Sequence, residues 1–287
     1  MNYYKILNQE ERHHGLQYKI GLNVDILPFN PSGDCTEGGI YFASEDILAF
    51  LDYGPWIRKV TIPEDAKMYH NPGEPNKWKA DKVILGRKLK ITAKVIESLI
   101  LEGADVHADN DYALCWASEN GHLDVVKVLL KHRADVHADN DCALRWTSVN
   151  GHLEIVKLLL KHGADVHADN DCALRWASDD GYLEVVKLLL ENGADVYADN
   201  DCALRWASRN GHLEVVKVLL KHGANVHADN DYALRWASEN GHLEVVKVLL
   251  KHGADVYADN DCALRWASRN GHLEVVKVLL KHGAERC

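Results

Sequence analysis

From Thr92 onward, apolar residues recur at the spacing of helices, and the pattern itself recurs every 30 residues. In one unit, Ala173, Leu174 and Ala177 share a helical face. Leu183, Val186, Leu189 and Leu190 make the stripe of a second helix. Gly181 and Gly193 follow the two stretches, where a left-handed glycine closes a helix. Asp171 precedes the first helix, and its carboxylate is placed to cap a free N–H of the first turn. Two short helices cannot bury their own apolar faces, so each unit is predicted to be stable only against a neighbour.

The string "NDCALRWASRNGHLEVVKVLLKHGA" occupies residues 200–224 and again 260–284. Related copies of "ALRW" or "ALCW" begin at Ala113, Ala143, Ala173, Ala203, Ala233 and Ala263. A half unit, "AKVIESLILEGADV" (Ala93–Val106), comes before them and lacks a first helix of its own. The array is thus read as residues 91–287, a half repeat and six full units, giving a mainly α solenoid. Its last unit carries no polar substitution at Leu273, Val276 or Leu280. That face is expected to stay partly exposed or to be covered by another molecule.

Before Lys90 the period vanishes, and all six prolines lie there. Strands are expected at 3–7, 16–20, 39–43, 57–62 and 81–85, and a helix in "SEDILAFLDYG", with Ser44 as its cap and Ile47, Phe50 and Leu51 buried. Pro/Gly-rich loops lie at 29–39 and 69–79. Residues 1–90 read as a small α+β domain that abuts the half unit without a flexible linker and caps the array.

"NGHLEVVKVLLKHGADV" resembles the second helix and turn of the ankyrin repeat, and "ALRWAS" is similar to that family's Thr-Pro-Leu-His-x-Ala-Ala box. Here the unit is three residues shorter than the family's 33. The loss falls in "ADNDY" or "ADNDC", where the family builds its β-hairpin finger, and the box His is replaced by Arg or by Cys115. Short fingers and a substitute for the Thr–His bonds are therefore expected. With "GLNVDILPF" and "GDCTEGGIYFA" before the array, the chain resembles the ankyrin-repeat proteins of mimivirus-type giant viruses. The resemblance implies a viral protein acting inside a host cell, in its cytoplasm, on a host protein. Viral ankyrin proteins in general also suggest a ubiquitin-ligase adaptor, although no F-box is recognisable in residues 1–90.

Charge sharpens this picture. Of 33 basic and 43 acidic residues, 12 of each precede Ile91, leaving 21 against 31 in the array. That acidity argues against nucleic acid or an anionic membrane as partner, and no apolar run is long enough for a transmembrane helix. Cys142, Cys172, Cys202 and Cys262 share one place in successive units and are read as small buried hydrophobes that do not bridge one another. The His-x4-His pairs, such as His162 and His167, straddle a turn with no further ligand nearby, so neither a metal nor a cofactor is implied.

The Trp116, Trp146, Trp176, Trp206, Trp236 and Trp266 series is expected to be a ladder packed between units. The arginine before each Trp from Arg145 onward is expected to pair with Asp139, Asp141 or their equivalents in the connecting stretches. The position three after each Trp changes freely: Glu119, Val149, Asp179, Arg209, Glu239, Arg269. It is expected at the end of the first helix, on the concave side, as the partner-binding column. The function read from these observations is a non-enzymatic protein–protein interaction module, with self-association through the uncapped end as a second mode. One enzymatic alternative exists. "HHG" at 13–15 and "GGIYFA" at 38–43 are similar to elements of poly-ADP-ribose-polymerase-like transferases, which implies His14, Tyr41 and an acid, Asp81, around a nicotinamide pocket.

Overall fold

The computed structural model describes residues 1–32, 36–71, 73 and 75–284. Parts of the two Pro/Gly-rich loops, at 33–35, 72 and 74, and the tail at 285–287 lie outside them. The chain divides into two compact units, Met1–Asp139 and Asn140–Cys287.

In the first unit the strands are β1 (Tyr3–Leu7), β2 (Arg12–His13), β3 (Leu16–Gln17), β4 (Gly21–Val24), β5 (Ile40–Phe42), β6 (Trp56–Thr61), β7 (Met68–Asn71), β8 (Lys77–Ala80) and β9 (Lys82–Lys90). They form an antiparallel sheet in the order β1-β6-β9-β4, a second in the order β5-β8-β7, and the small hairpin β2-β3. Register sets Ile6 opposite Ile57 and Val60 opposite Leu85. Val60 and Leu85 belong to the core formed with Leu7, Tyr18, Ile40, Phe42, Ala80 and Val83, while Ile6 and Ile57 alternate onto the other face of the sheet and are buried there. β4 and β7 are not among the expected strands, and the run expected at 16–20 is strand only at Leu16–Gln17, ending before an exposed Ile20.

The expected helix at Ser44 is a 3₁₀ helix, Glu45–Tyr53, kinked at Asp46 and Phe50, and Ser44 makes no capping bond through its side chain. Ile47, Leu48 and Leu51 are buried under it, whereas Phe50 is only half-buried. This helix packs against Ala108–Glu119, the first helix of the first full unit. The Glu45 carbonyl accepts the Asp105 N–H at 2.7 Å, and the Tyr4 hydroxyl donates to Glu102 at 2.5 Å.

The second unit is repetitive. First helices Ala168–Asp179, Ala198–Asn210, Ala228–Glu239 and Ala258–Arg269 alternate with second helices such as Leu213–Lys221 and Leu243–Lys251. Val215, Val216, Leu219, Ala203, Leu204 and Ala207 are each at most 2% exposed, the buried face that the periodicity predicted. Gly181 and Gly211 take φ of 77° and 80°, closing first helices in the left-handed region. They also face the next unit closely. A Cβ on Gly181 would lie 2.4 Å from the His212 ring, so only glycine lets the units stack there.

The missing finger is replaced by a left-handed turn. Asp199, Asn200 and Asp201 all have φ of 50–56°, and 169–171, 229–231 and 259–261 repeat the geometry. Asp and Asn tolerate this region better than other non-glycine residues. Asp171 therefore does not cap the helix as expected. Its equivalents accept a main-chain N–H 24 residues on: Asp195 N–H to Asp171 at 2.7 Å, Asn225 to Asp201 at 2.7 Å, Asp255 to Asp231 at 2.7 Å. These carboxylates are buried, and each ties one turn to the next.

The arginines complete the turn. Arg205 Nε donates to the Asn200 carbonyl and its Nη2 to Asp199, both at 2.9 Å, while Nη1 reaches Asp229 of the following unit at 3.3 Å. Arg175 to Asp199 (3.6 Å) and Arg235 to Asp259 (3.3 Å) repeat the link. Of the two expected partners, the Asp139-equivalent column is the one used, always from the next unit. Cys172, Cys202 and Cys262 are free and buried, and burial pushes their thiols up. Cys142 departs from the expectation and is disulfide-bonded.

The tryptophans meet between units as expected, but with more exposure than a core ladder has. Trp176 and Trp206 meet tilted at 5.3 Å between centroids, and Trp236 and Trp266 meet edge to face at 5.5 Å. The ladder is not core, however: Trp146 and Trp176 remain 43% and 40% exposed, and Trp206 is half-buried. The large ring sits at the edge of the helix pair, where it reaches its counterpart but also solvent.

Candidate partner-binding surface and an N-terminal cavity

In the second unit the variable column closes each first helix. Arg209 and Arg269 are exposed, and Val149, Asp179 and Glu239 are half-buried. Glu119, in the first unit, is also exposed. The main chain explains why side chains can change here. The Asp179 carbonyl accepts from Asn210 Nδ2 (2.9 Å) and His212 Nε2 (2.8 Å) of the next unit. The Arg209 carbonyl accepts likewise from Asn240 and His242, and the Glu239 carbonyl from Asn270 and His272, all at 2.9 Å. The structural duty at this position falls on the carbonyl, which every residue carries. Asn210, Asn240, Asn270 and their histidines were not singled out from sequence, although their repetition as Asn-Gly-His was the available signal.

The column is not free of local contacts. The Arg209 guanidinium lies 5.0 Å from the Trp236 ring centre, a cation–π contact. Asn210 also donates to Asp179 Oδ1 at 2.8 Å, and burial, with the Asp180 charge, holds the Asp179 carboxyl above its ordinary range. Unit by unit from Asp179 the charges run negative, positive, negative, positive beside the half-exposed tryptophans.

In the second helices, Lys217 and Glu214 pair at 2.6 Å, as do Lys277 and Glu274. The histidines have local partners: His167 Nδ1 lies 3.2 Å from Asp171, and His222 Nδ1 donates to the Val218 carbonyl at 2.8 Å. In the last unit Leu273 is 69% exposed, Leu280 is half-buried and Val276 is buried at 9%.

The first unit contains a cavity of about 260 Å³. His14 and Tyr41 both line it, with Lys5, Arg12, His13 and Lys77. Asp81 does not: its carboxylate accepts the Lys67 N–H at 2.8 Å. No described carboxylate residue lines the cavity, and the nearest to His14 is Glu37 at 3.7 Å. Lys5 is buried and donates to the Tyr41 carbonyl at 2.7 Å. Burial pushes its ammonium down to about 7, with the Asp25 charge acting in the opposite sense. Burial, with the His14 and Lys5 charges, pushes His13 down to about 4.

Stacked helix pairs joined by short turns and closed by left-handed glycines define a helical repeat protein. A family profile for ankyrin repeats matches in three copies, at residues 89–170, 166–230 and 204–286, and the chain belongs to that family. It is similar to two ankyrin repeat proteins of Acanthamoeba polyphaga mimivirus, at 39% identity over 127 residues and 36% over 131. A third from the same virus is 34% identical over 132 residues. These matches take in 40%, 43% and 44% of this chain, and 40%, 39% and 65% of the relatives' own lengths. Among the described residues no helix is long and apolar enough to cross a membrane.

Proposed function

We propose that the ankyrin array, residues 91–287, presents the column Glu119, Val149, Asp179, Arg209, Glu239 and Arg269 to a protein partner, and that residues 1–90 act as its cap. Ankyrin repeats serve as protein-interaction modules, which is the coarse function of this chain. The observation that carries the finer reading is the division of labour at the column. Stacking uses the carbonyl, so side-chain identity there is open to selection by a partner. A preformed surface of this kind loses little conformational freedom on binding. In this reading the partner is a host protein met inside the infected cell, an extension that draws on the viral source of the relatives.

The test is affinity capture from host lysate with the native chain and with the double reversal Arg209→Glu/Arg269→Glu. A protein retained by the first and lost from the second, at unchanged melting temperature, supports the column. Equal retention, with loss on reversing Lys217 and Lys277, puts the partner on the other helical face.

A second reading has one specific observation behind it: His14 and Tyr41, distant in sequence, line one cavity. An ADP-ribosyltransferase-like N-terminal domain needs an acid there that Asp81 does not supply. Transfer of label from NAD that disappears in His14→Ala and Tyr41→Ala would support it, and no transfer above background removes it.

A further inference from the structure

At the open edge of the four-stranded sheet, the apolar face of the strand is turned to solvent. β4 is the last strand in the order β1-β6-β9-β4. Ile20, Leu22, Val24 and Ile26 are 66%, 51%, 52% and 63% exposed, and Ile84, opposite Leu22 on β9, is 40% exposed. Alternation within β4 sets Leu22 and Val24 on one side, and Ile20 and Ile26 flank the strand in the bends at its two ends. The residue between the middle two turns in: Asn23 is 3% exposed, and its amide bonds to the main chain of Lys19 and Gly21. Single exposed apolar side chains are ordinary, but five at and beside an edge that is unpaired among the described residues mark an interface.

The main chain of this edge has a definite register. Asp25 N–H donates to the Asp81 carbonyl at 2.8 Å, continuing the β4–β9 ladder. Residues of odd number, Gly21 and Asn23 with Asp25, therefore turn their N–H and C=O toward β9. Leu22 and Val24 turn theirs to the open side.

We propose that β4 pairs with β4 of a second copy of this chain, antiparallel about a two-fold axis at Asn23. The run Ile20-Gly21-Leu22-Asn23-Val24-Asp25-Ile26 alternates apolar and non-apolar residues identically in both directions. The axis sets Leu22 opposite Val24 of the second copy on one face, with the exposed Ile20 and Ile26 at the two ends of the seam. Leu22 and Val24 are the residues with outward main chain, so each such pair exchanges two N–H···O=C bonds, four in total. Asp25, the one charged residue in the run, faces a glycine of the second copy, so no like charges meet. A foreign strand would need this pattern by selection; a second copy has it by identity. The pairing uses neither the variable column nor the N-terminal cavity.

Sedimentation velocity of the full chain over a micromolar concentration series tests this. The native chain is expected to shift from monomer to dimer. Val24→Pro removes one outward N–H at an edge position that tolerates proline, and Leu22→Lys puts a charge in the seam. Each should weaken dimerisation at least about tenfold with an unchanged circular dichroism spectrum. Leu22→Lys keeps the test open if the proline variant does not fold. A native chain that stays monomeric throughout overturns the proposal. So does a dimer that survives both substitutions, or one abolished by Leu273→Lys instead, which would place the contact at the last repeat.

Discussion

The second unit and the strands of the first are held together by opposite means. From residue 140 on, the same bonds return every 30 residues: aspartate to main-chain N–H, arginine to the next aspartate, histidine to a carbonyl. Each joins neighbouring units, so damage is shared only locally. In the strands the decisive contacts are single and distant, as where Arg58, a buried residue of β6, pairs with Glu11 at 2.7 Å and donates to the Gly86 carbonyl of β9. Redundancy in one region and unique long-range contacts in the other predict different responses to substitution.

The largest loss is expected at Arg58. Arg58→Leu leaves the Glu11 carboxylate with Lys88 as its remaining cation and should cost about 4 kcal/mol in denaturant unfolding, the scale for breaking a buried pair. A cost under about 1 kcal/mol would show that this region is as forgiving as the array.

Next comes a pH dependence that originates at Lys5 in β1. Lys5 protonates near 7 in the folded chain but at its ordinary 10.5 when unfolded. Between those values the unfolded chain binds more protons, so stability should rise with pH from about 7 to 9 by ~2 kcal/mol. Above that, the thiols of Cys172, Cys202 and Cys262 and the hydroxyls of Tyr4 and Tyr18, all pushed up by burial, work the other way. Lys5→Met should flatten the rise, and an unchanged slope would refute the assignment.

In the array, Asp201→Ala orphans the Asn225 N–H and should cost about 2 kcal/mol. Hydrogen exchange should accelerate around residues 198–226 while more distant units keep their protection. Uniform acceleration over the whole chain would contradict local sharing. Trp206→Ala should cost only ~1.5 kcal/mol, less than a core tryptophan, because the ring is half in solvent.

The smallest effect has the opposite sign. The hydroxyls of Ser178, Ser208 and Ser238 are buried without a hydrogen-bond partner, where the ankyrin box has alanine. Ser208→Ala should raise stability by about 1 kcal/mol, read as a higher melting temperature. A loss would mean that the hydroxyl has a role in packing.

The sequence by itself determined the period, the pairing of two helices per unit, the glycines that end them and the apolar face each unit buries. These depend on neighbours within one unit or the next, and a strict repeat states such short-range rules six times over. Only the tertiary structure decided that Asp201 serves the following turn instead of its own helix and that the tryptophans lie half in solvent. It also decided that the carbonyl, not the side chain, holds the variable position. Each depends on the angle at which one unit meets the next, which no spacing encodes. The strand region was legible only in pieces. β1 and β6 follow their β-branched and aromatic runs, but the order β1-β6-β9-β4 and the outward apolar face of β4 arise from contacts across as many as 60 residues or more. Neither His14 beside Tyr41 nor Asp81 apart from them could be read without that order.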